Sequence, residues 1–102
     1  MKAFLIDPVN QSITQVEITG SRQEIQERLL AKSLAYEDIG GSKDRLCFDE
    51  DCFILAKPGR FQLDTLAPVA GSALVVGAGK SEEEYFDATL SLDELSSRIR
   101  FL

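Results

Sequence analysis

Ala73-Leu74-Val75-Val76 is an unbroken apolar run inside the stretch Pro68–Gly79, with glycines on both sides of it. A short apolar run with adjacent valines between glycines predicts a β-strand buried on both faces, and so a central strand. Ala3-Phe4-Leu5-Ile6 has the same character and predicts a second interior strand. Asp7-Pro8-Val9-Asn10 follows it with turn chemistry, because proline presets φ while Asp and Asn bond their own backbone. Thr14, Val16 and Ile18 then alternate with Gln15 and Glu17, the period of a strand exposed on one side, and the two strands make a hairpin.

Helical spacing appears twice. Ser21 and Glu24 stand at capping-box positions ahead of Ile25, Leu29 and Leu30, which predicts a packing helix ending by Lys32 to Leu34. Ser91 and Glu94 repeat the box, with Leu90 and Leu95 placed as a hydrophobic staple. Leu92, Leu95 and Ile99 are expected on one face of this last helix. Between the helices, Tyr36–Gly41 reads as a strand ending at its glycines. Leu46-Cys47-Phe48 and Cys52-Phe53-Ile54-Leu55 read as a hairpin around an acidic tip. Lys57-Pro58-Gly59 is a turn, Phe61-Gln62-Leu63 a short strand, and Tyr85–Thr89 a short extended piece.

These elements predict one α+β domain over residues 1–102: a mostly antiparallel sheet of five to six strands with two helices packed on one face. Leu5, Val16, Leu29, Phe48, Leu74, Val76, Leu95 and Ile99 are its expected core. The chain has 102 residues, enough for a core that needs no metal or disulfide. It has no apolar run near the ~18 residues of a membrane span and no signal-peptide pattern, so a cytoplasmic, non-membrane protein is expected.

Eleven basic and seventeen acidic residues give a net charge of −6, spread over both halves. Direct nucleic-acid binding is not expected of such a chain, since phosphate contacts need a concentrated basic surface. An acidic surface fits a protein partner with a basic surface instead. With no histidine, histidine-based triads and His/Cys zinc sites are excluded. Cys47 and Cys52 are not spaced as a C-x-x-C pair and read as two small buried hydrophobes; a disulfide would require the register to set them opposite each other.

The remaining chemistry is sparse, and no catalytic residue, cofactor or metal is expected. Asp49-Glu50-Asp51 resembles the start of a calcium loop, but the glycine of such a loop is absent and the place two beyond Asp51 is Phe53, so it reads as a solvated tip. Gly77-Ala78-Gly79-Lys80-Ser81 lacks the leading glycine of a phosphate loop, and three glutamates, Glu82, Glu83 and Glu84, follow where an anion would sit. Lys57 and Arg60 flank an exposed turn that could bind an anion or an acidic partner. Asp49, Glu50, Asp51, Lys57, Arg60, Glu82, Glu83 and Glu84 are therefore the binding candidates. Tyr36, Tyr85 and Phe86 are aromatics that periodicity does not bury.

The succession K-A-F-L-I-D-P, I-T-Q-V-E-I, L-C-F-D-E-D, F-Q-L-D, P-V-A-G-S-A-L-V-V-G and T-L-S-L-D-E-L-S-S-R-I-R-F-L resembles a family of small uncharacterised bacterial proteins, often carried by phages, plasmids and other mobile elements. The resemblance spans most of the chain, is strongest over residues 46–102, and implies a shared fold without a known activity. Where such sequences carry an Asp-x-x-Gly turn after the glycine strand, this chain has Ala78-Gly79-Lys80-Ser81-Glu82, so a function lodged there need not carry over. The expectation is a non-enzymatic acidic protein-interaction module, accessory to a mobile element or acting against host defence. Two alternatives stand beside it: a small ligand-binding domain or enzyme using Asp49, Asp51, Lys57 and Arg60, and a structural homodimer joined through the Val16 strand or Phe101-Leu102.

Overall fold

Asp7 reverses the chain after the first strand. Its carboxylate accepts from the backbone N–H groups of Val9 and Asn10 and from the Asn10 amide, which also holds its pKa below the ordinary carboxylate value. The computed structural model describes residues 1–81 and 83–102, so Glu82 lies outside the described residues. The strands are β1 (Lys2–Asp7), β2 (Ser12–Glu17), β3 (Leu34–Asp38), β4 (Asp44–Asp49), β5 (Arg60–Leu63), β6 (Val69–Ala70), β7 (Ala73–Ala78), β8 (Tyr85–Phe86) and β9 (Ile99–Phe101). The helices are α1 (Arg22–Leu29) and α2 (Leu92–Arg98). The large sheet runs β2-β1-β7-β4-β3, with β8 on the end of β7; the small sheet runs β6-β5-β9. Every pair is antiparallel.

The glycine-flanked run is the centre of the large sheet, as its composition predicts. Side chains alternate across it. Ala73 and Val75 join Phe4, Ile6 and Leu46 on one side, and Leu74 and Val76 join Ala3 and Cys47 on the other. The small sheet and α2 cover the first side through Phe61, Leu63 and Leu95. Ile25 and Leu29 of α1 cover the second. Burying such side chains stabilises by about 1.5–3 kcal/mol each, which is what holds an eight-residue helix too short to persist alone. The α+β architecture with a mostly antiparallel six-stranded sheet is thus present, but the helices lie on opposite faces, not one. A central strand apolar on both faces needs a cover on each.

Several local expectations are corrected. Cys52–Leu55 is a turn, and β4 pairs with β3 and β7 instead of forming a hairpin with it. The strand near Tyr36 begins at Leu34 and ends at Asp38. Leu30 does not extend the stripe of α1: it adopts a left-handed conformation just past the helix and is exposed. The first capping box is half-formed. Ser21 accepts from Glu24 N–H, but the Glu24 carboxylate reaches back to the N–H and hydroxyl of Thr19. In α2 both halves of the box are made and the Leu90–Leu95 staple is buried. Leu92 faces outward, and Ile99 has already left the helix for β9. Leu29, Leu74, Val76 and Leu95 are buried, whereas Leu5, Val16, Phe48 and Ile99 are half-buried.

Candidate functional site: a braced apolar turn

The acidic tip read from the sequence begins a compact helical turn. At the end of β4, Asp49 Oδ1 accepts from Asp51 N–H at 2.9 Å, and the Asp49 carbonyl accepts from Cys52 N–H at 3.1 Å. Leu55 N–H then donates to Asp51 O, Ala56 N–H to Phe53 O and Lys57 N–H to Cys52 O, between 2.9 and 3.1 Å. Ala56 closes the turn at φ 50°, the left-handed residue of a helix-terminating motif.

Beneath it, among the described residues, two of the candidates form a salt bridge with each other. Lys57 Nζ lies 2.7 Å from Asp49 Oδ2, and the same ammonium donates to the carbonyls of Leu29 and Leu30 at 2.8 and 3.1 Å. Asp49 is 2 % exposed, and its Oδ2 accepts no hydrogen bond of regular geometry, so charge alone compensates it. Lys57 thereby serves two ends at once: it neutralises a buried carboxylate and caps the C-terminus of α1, where a cation suits the helix dipole. Gly71 lies close to the lysine stem, where a Cβ would come within 3.0 Å of it.

Cys52 points into the core, and the rest of the turn points away from it. Phe53 is 50 %, Ile54 83 % and Leu55 60 % exposed. The Arg60 guanidinium stands 5.4 Å over the Phe53 ring, a cation–π contact, and so does not join Asp49 and Lys57. Glu50 is exposed and donates its N–H to Ser33 O. Next to the turn, a cavity of about 230 Å³ is lined by Val9, Leu30, Lys57 and Pro58 among others.

Of the second acidic candidate cluster, Glu83 and Glu84 lie among the described residues and both are engaged within the protein. Glu83 pairs with Arg22 at 3.3 Å. Glu84 accepts from Gly79 N–H through its carbonyl and from Lys80 N–H through its carboxylate. A phosphate loop would offer such backbone donors to a ligand; here the chain's own carboxylate takes one of them. Under this loop the Tyr36 and Tyr85 hydroxyls share a hydrogen bond of 2.8 Å, and Arg45 lies over the Tyr36 ring. Burial and that hydrogen bond raise the Tyr85 pKa, and burial pushes the neighbouring Cys47 thiol up to about 12. Cys47 and Cys52 are free and belong to opposite sides of the large sheet.

Sequence reasoning missed Asp44, which is 1 % exposed. Its carboxylate accepts from the N–H and hydroxyl of Thr89 and from the N–H of Leu90, at 2.7 to 3.0 Å, locking β4 to the approach of α2. Its donors lie 45 residues away, so nothing local signals the role. Among the described residues, no group of three His, Cys, Asp or Glu side chains converges as a metal site, and no helix is long and apolar enough to cross a membrane. No family model, curated protein or solved structure matches the chain.

Proposed function

We propose that this protein is a non-enzymatic interaction module that presents the Phe53-Ile54-Leu55 turn to another protein. The observation that carries the reading is the contrast between the backbone and the side chains of this turn. The N–H groups of Cys52, Leu55, Ala56 and Lys57 are bonded to carbonyls of the turn and of Asp49 before it, and the turn rests on a buried ion pair, yet three consecutive apolar side chains point into solvent. A turn braced in that way loses little conformational entropy on binding, and exposed apolar anchors of this kind supply most of an interface's energy.

The enzymatic alternative draws less support. The Lys57 ammonium is committed to Asp49 and two carbonyls, and Asp49 is shut away from solvent. An acidic face for a basic partner, or for mimicry of nucleic acid, draws less too. Asp38, Asp49, Asp64 and Glu83 are each taken up by an arginine or lysine in separate parts of the fold.

Capture from a bacterial lysate with the native chain and with Ile54→Asp as parallel baits tests the reading. A protein held by the native bait and lost from the variant is expected. A partner retained equally by both, or one that leaves only when salt is raised, moves the interface to the charged surface.

A further inference from the structure

The outer face of the small sheet continues the exposed turn. Along β5 and β9 the core-facing side chains are Phe61, Leu63, Ile99 and Phe101, so the alternate positions face outward. Together with the residues just beyond the strand ends they make three pairings between the two segments. Asp64 and Arg98 make an ion pair, with Arg98 Nε 3.0 Å from Oδ1. Gln62 stands opposite Arg100, whose Nη2 donates to Gln62 Oε1 at 2.7 Å. Arg60 stands next to Leu102, whose N–H donates to Arg60 O at 3.0 Å. Only the first pairing is electrically balanced. Among the described residues, neither Arg60 nor Arg100 has a carboxylate within 4.0 Å, on a chain whose net charge is −6.

The two uncompensated guanidiniums are flanked by apolar surface. Phe53 lies under Arg60, Ile54 follows it, and Leu102 is 58 % exposed beside them. Resting on the interaction-module reading, we infer that this face takes a segment of a partner protein that mixes carboxylates with apolar side chains. The carboxylates meet Arg60 and Arg100, and the apolar side chains lie on Phe53, Ile54 and Leu102. Guanidiniums match carboxylates in a planar, two-pronged geometry. A nucleic-acid backbone would find two arginines and a surrounding negative field, which is a poor phosphate track. Both occupants are anionic and meet the same net charge of −6, so the adjoining apolar surface decides between them: Phe53, Ile54 and Leu102 are exposed for apolar side chains, which an acidic peptide offers beside its carboxylates and a sugar–phosphate backbone does not.

Fluorescence anisotropy on the full chain tests this with three labelled probes. They are a twelve-residue peptide of interspersed Glu and Leu/Phe, the same peptide with Lys in place of Glu, and a twelve-nucleotide single-stranded DNA. The acidic peptide is expected to bind at least about tenfold more tightly than either other probe. Arg60→Gln/Arg100→Gln is expected to erase that preference, and circular dichroism of the variant checks that the fold is retained. Equal binding of the Lys peptide, tighter binding of the DNA, or an unaltered preference in the double variant overturns the inference. If the acidic peptide fails while Ile54→Asp still abolishes capture from lysate, the partner's chemistry is wrong and the displayed turn stands.

Discussion

Lys57 Nζ and Asp49 Oδ2 are 2.7 Å apart, and the lysine holds the end of α1 through the carbonyls of Leu29 and Leu30. Removing one partner of a buried pair leaves the other charge uncompensated, at a cost of about 3–5 kcal/mol. Lys57→Met should therefore destabilise by about that amount in urea unfolding. Adding Asp49→Asn should restore part of the loss, because the stranded charge is gone. A double variant no more stable than Lys57→Met would assign the loss to the Leu29 and Leu30 carbonyls that the ammonium caps, not to the charge of Asp49.

Asp44 holds Thr89 and Leu90 across 45 residues of sequence. Asp44→Ala leaves three donors without a partner, of which the Leu90 N–H is buried and the two of Thr89 are partly so, and should cost about 1–3 kcal/mol. Asp44→Asn turns an amide NH₂ toward those same donors and should recover little of it. A loss below about 1 kcal/mol in either variant would mean that water takes over these bonds.

Gly77 and Gly40 separate two uses of glycine. A Cβ on Gly77 would come within 3.0 Å of Phe86 O and closer still to Asp87 O, whereas one on Gly40 meets nothing within 4 Å. Gly77→Ala should cost about 3 kcal/mol as overpacking against backbone, and Gly40→Ala should change stability by less than about 0.5 kcal/mol. Equal effects would contradict the close approach of β8 to β7.

Stability should fall at both ends of the pH scale and stay flat between about pH 5 and 7, since no histidine titrates there. The Arg98 hydrogen bonds hold the Asp64 pKa below its ordinary 3.8. The contribution is full above that ordinary value and is lost as pH falls through the lower, folded one. Because Asp64 is about one-third exposed, the slope is modest. Burial acts in the other direction on Cys47, raising it from 9.0 to about 12. Its contribution is full below pH 9.0 and is lost as pH rises toward about 12, where the unfolded thiol ionises first. Urea midpoints across pH for Arg98→Gln and Cys47→Ala should flatten the acid and alkaline limbs respectively. An unchanged alkaline limb in Cys47→Ala would assign it to Tyr85, also raised by burial.

What was legible in the sequence is what short-range chemistry controls. Asp7-Pro8, the Ser91–Glu94 box and the alternation of Phe61 and Leu63 each act within a few residues, and each appears as read. The Ala73–Val76 run implied burial on both faces, and followed through, that same feature requires covers on both sides. The segment after Asp49 was misread because Phe53-Ile54-Leu55 has strand-like composition. Acidic residues opening it and Lys57-Pro58-Gly59 closing it are the marks of a helical turn, and they prevailed over β-propensity. Arg60 and Arg100 could not be seen as neighbours before the pairing of β5 with β9 was known.

The most direct test is hydrogen–deuterium exchange at the backbone amides of Leu55, Ala56 and Lys57. If the turn is braced as described, all three are protected roughly a hundredfold or more, approaching the amides of β4, because each is bonded within the turn. Exchange at the rate of an unstructured chain would mean that the apolar side chains are exposed because the segment is loose, and the displayed turn would fall with it.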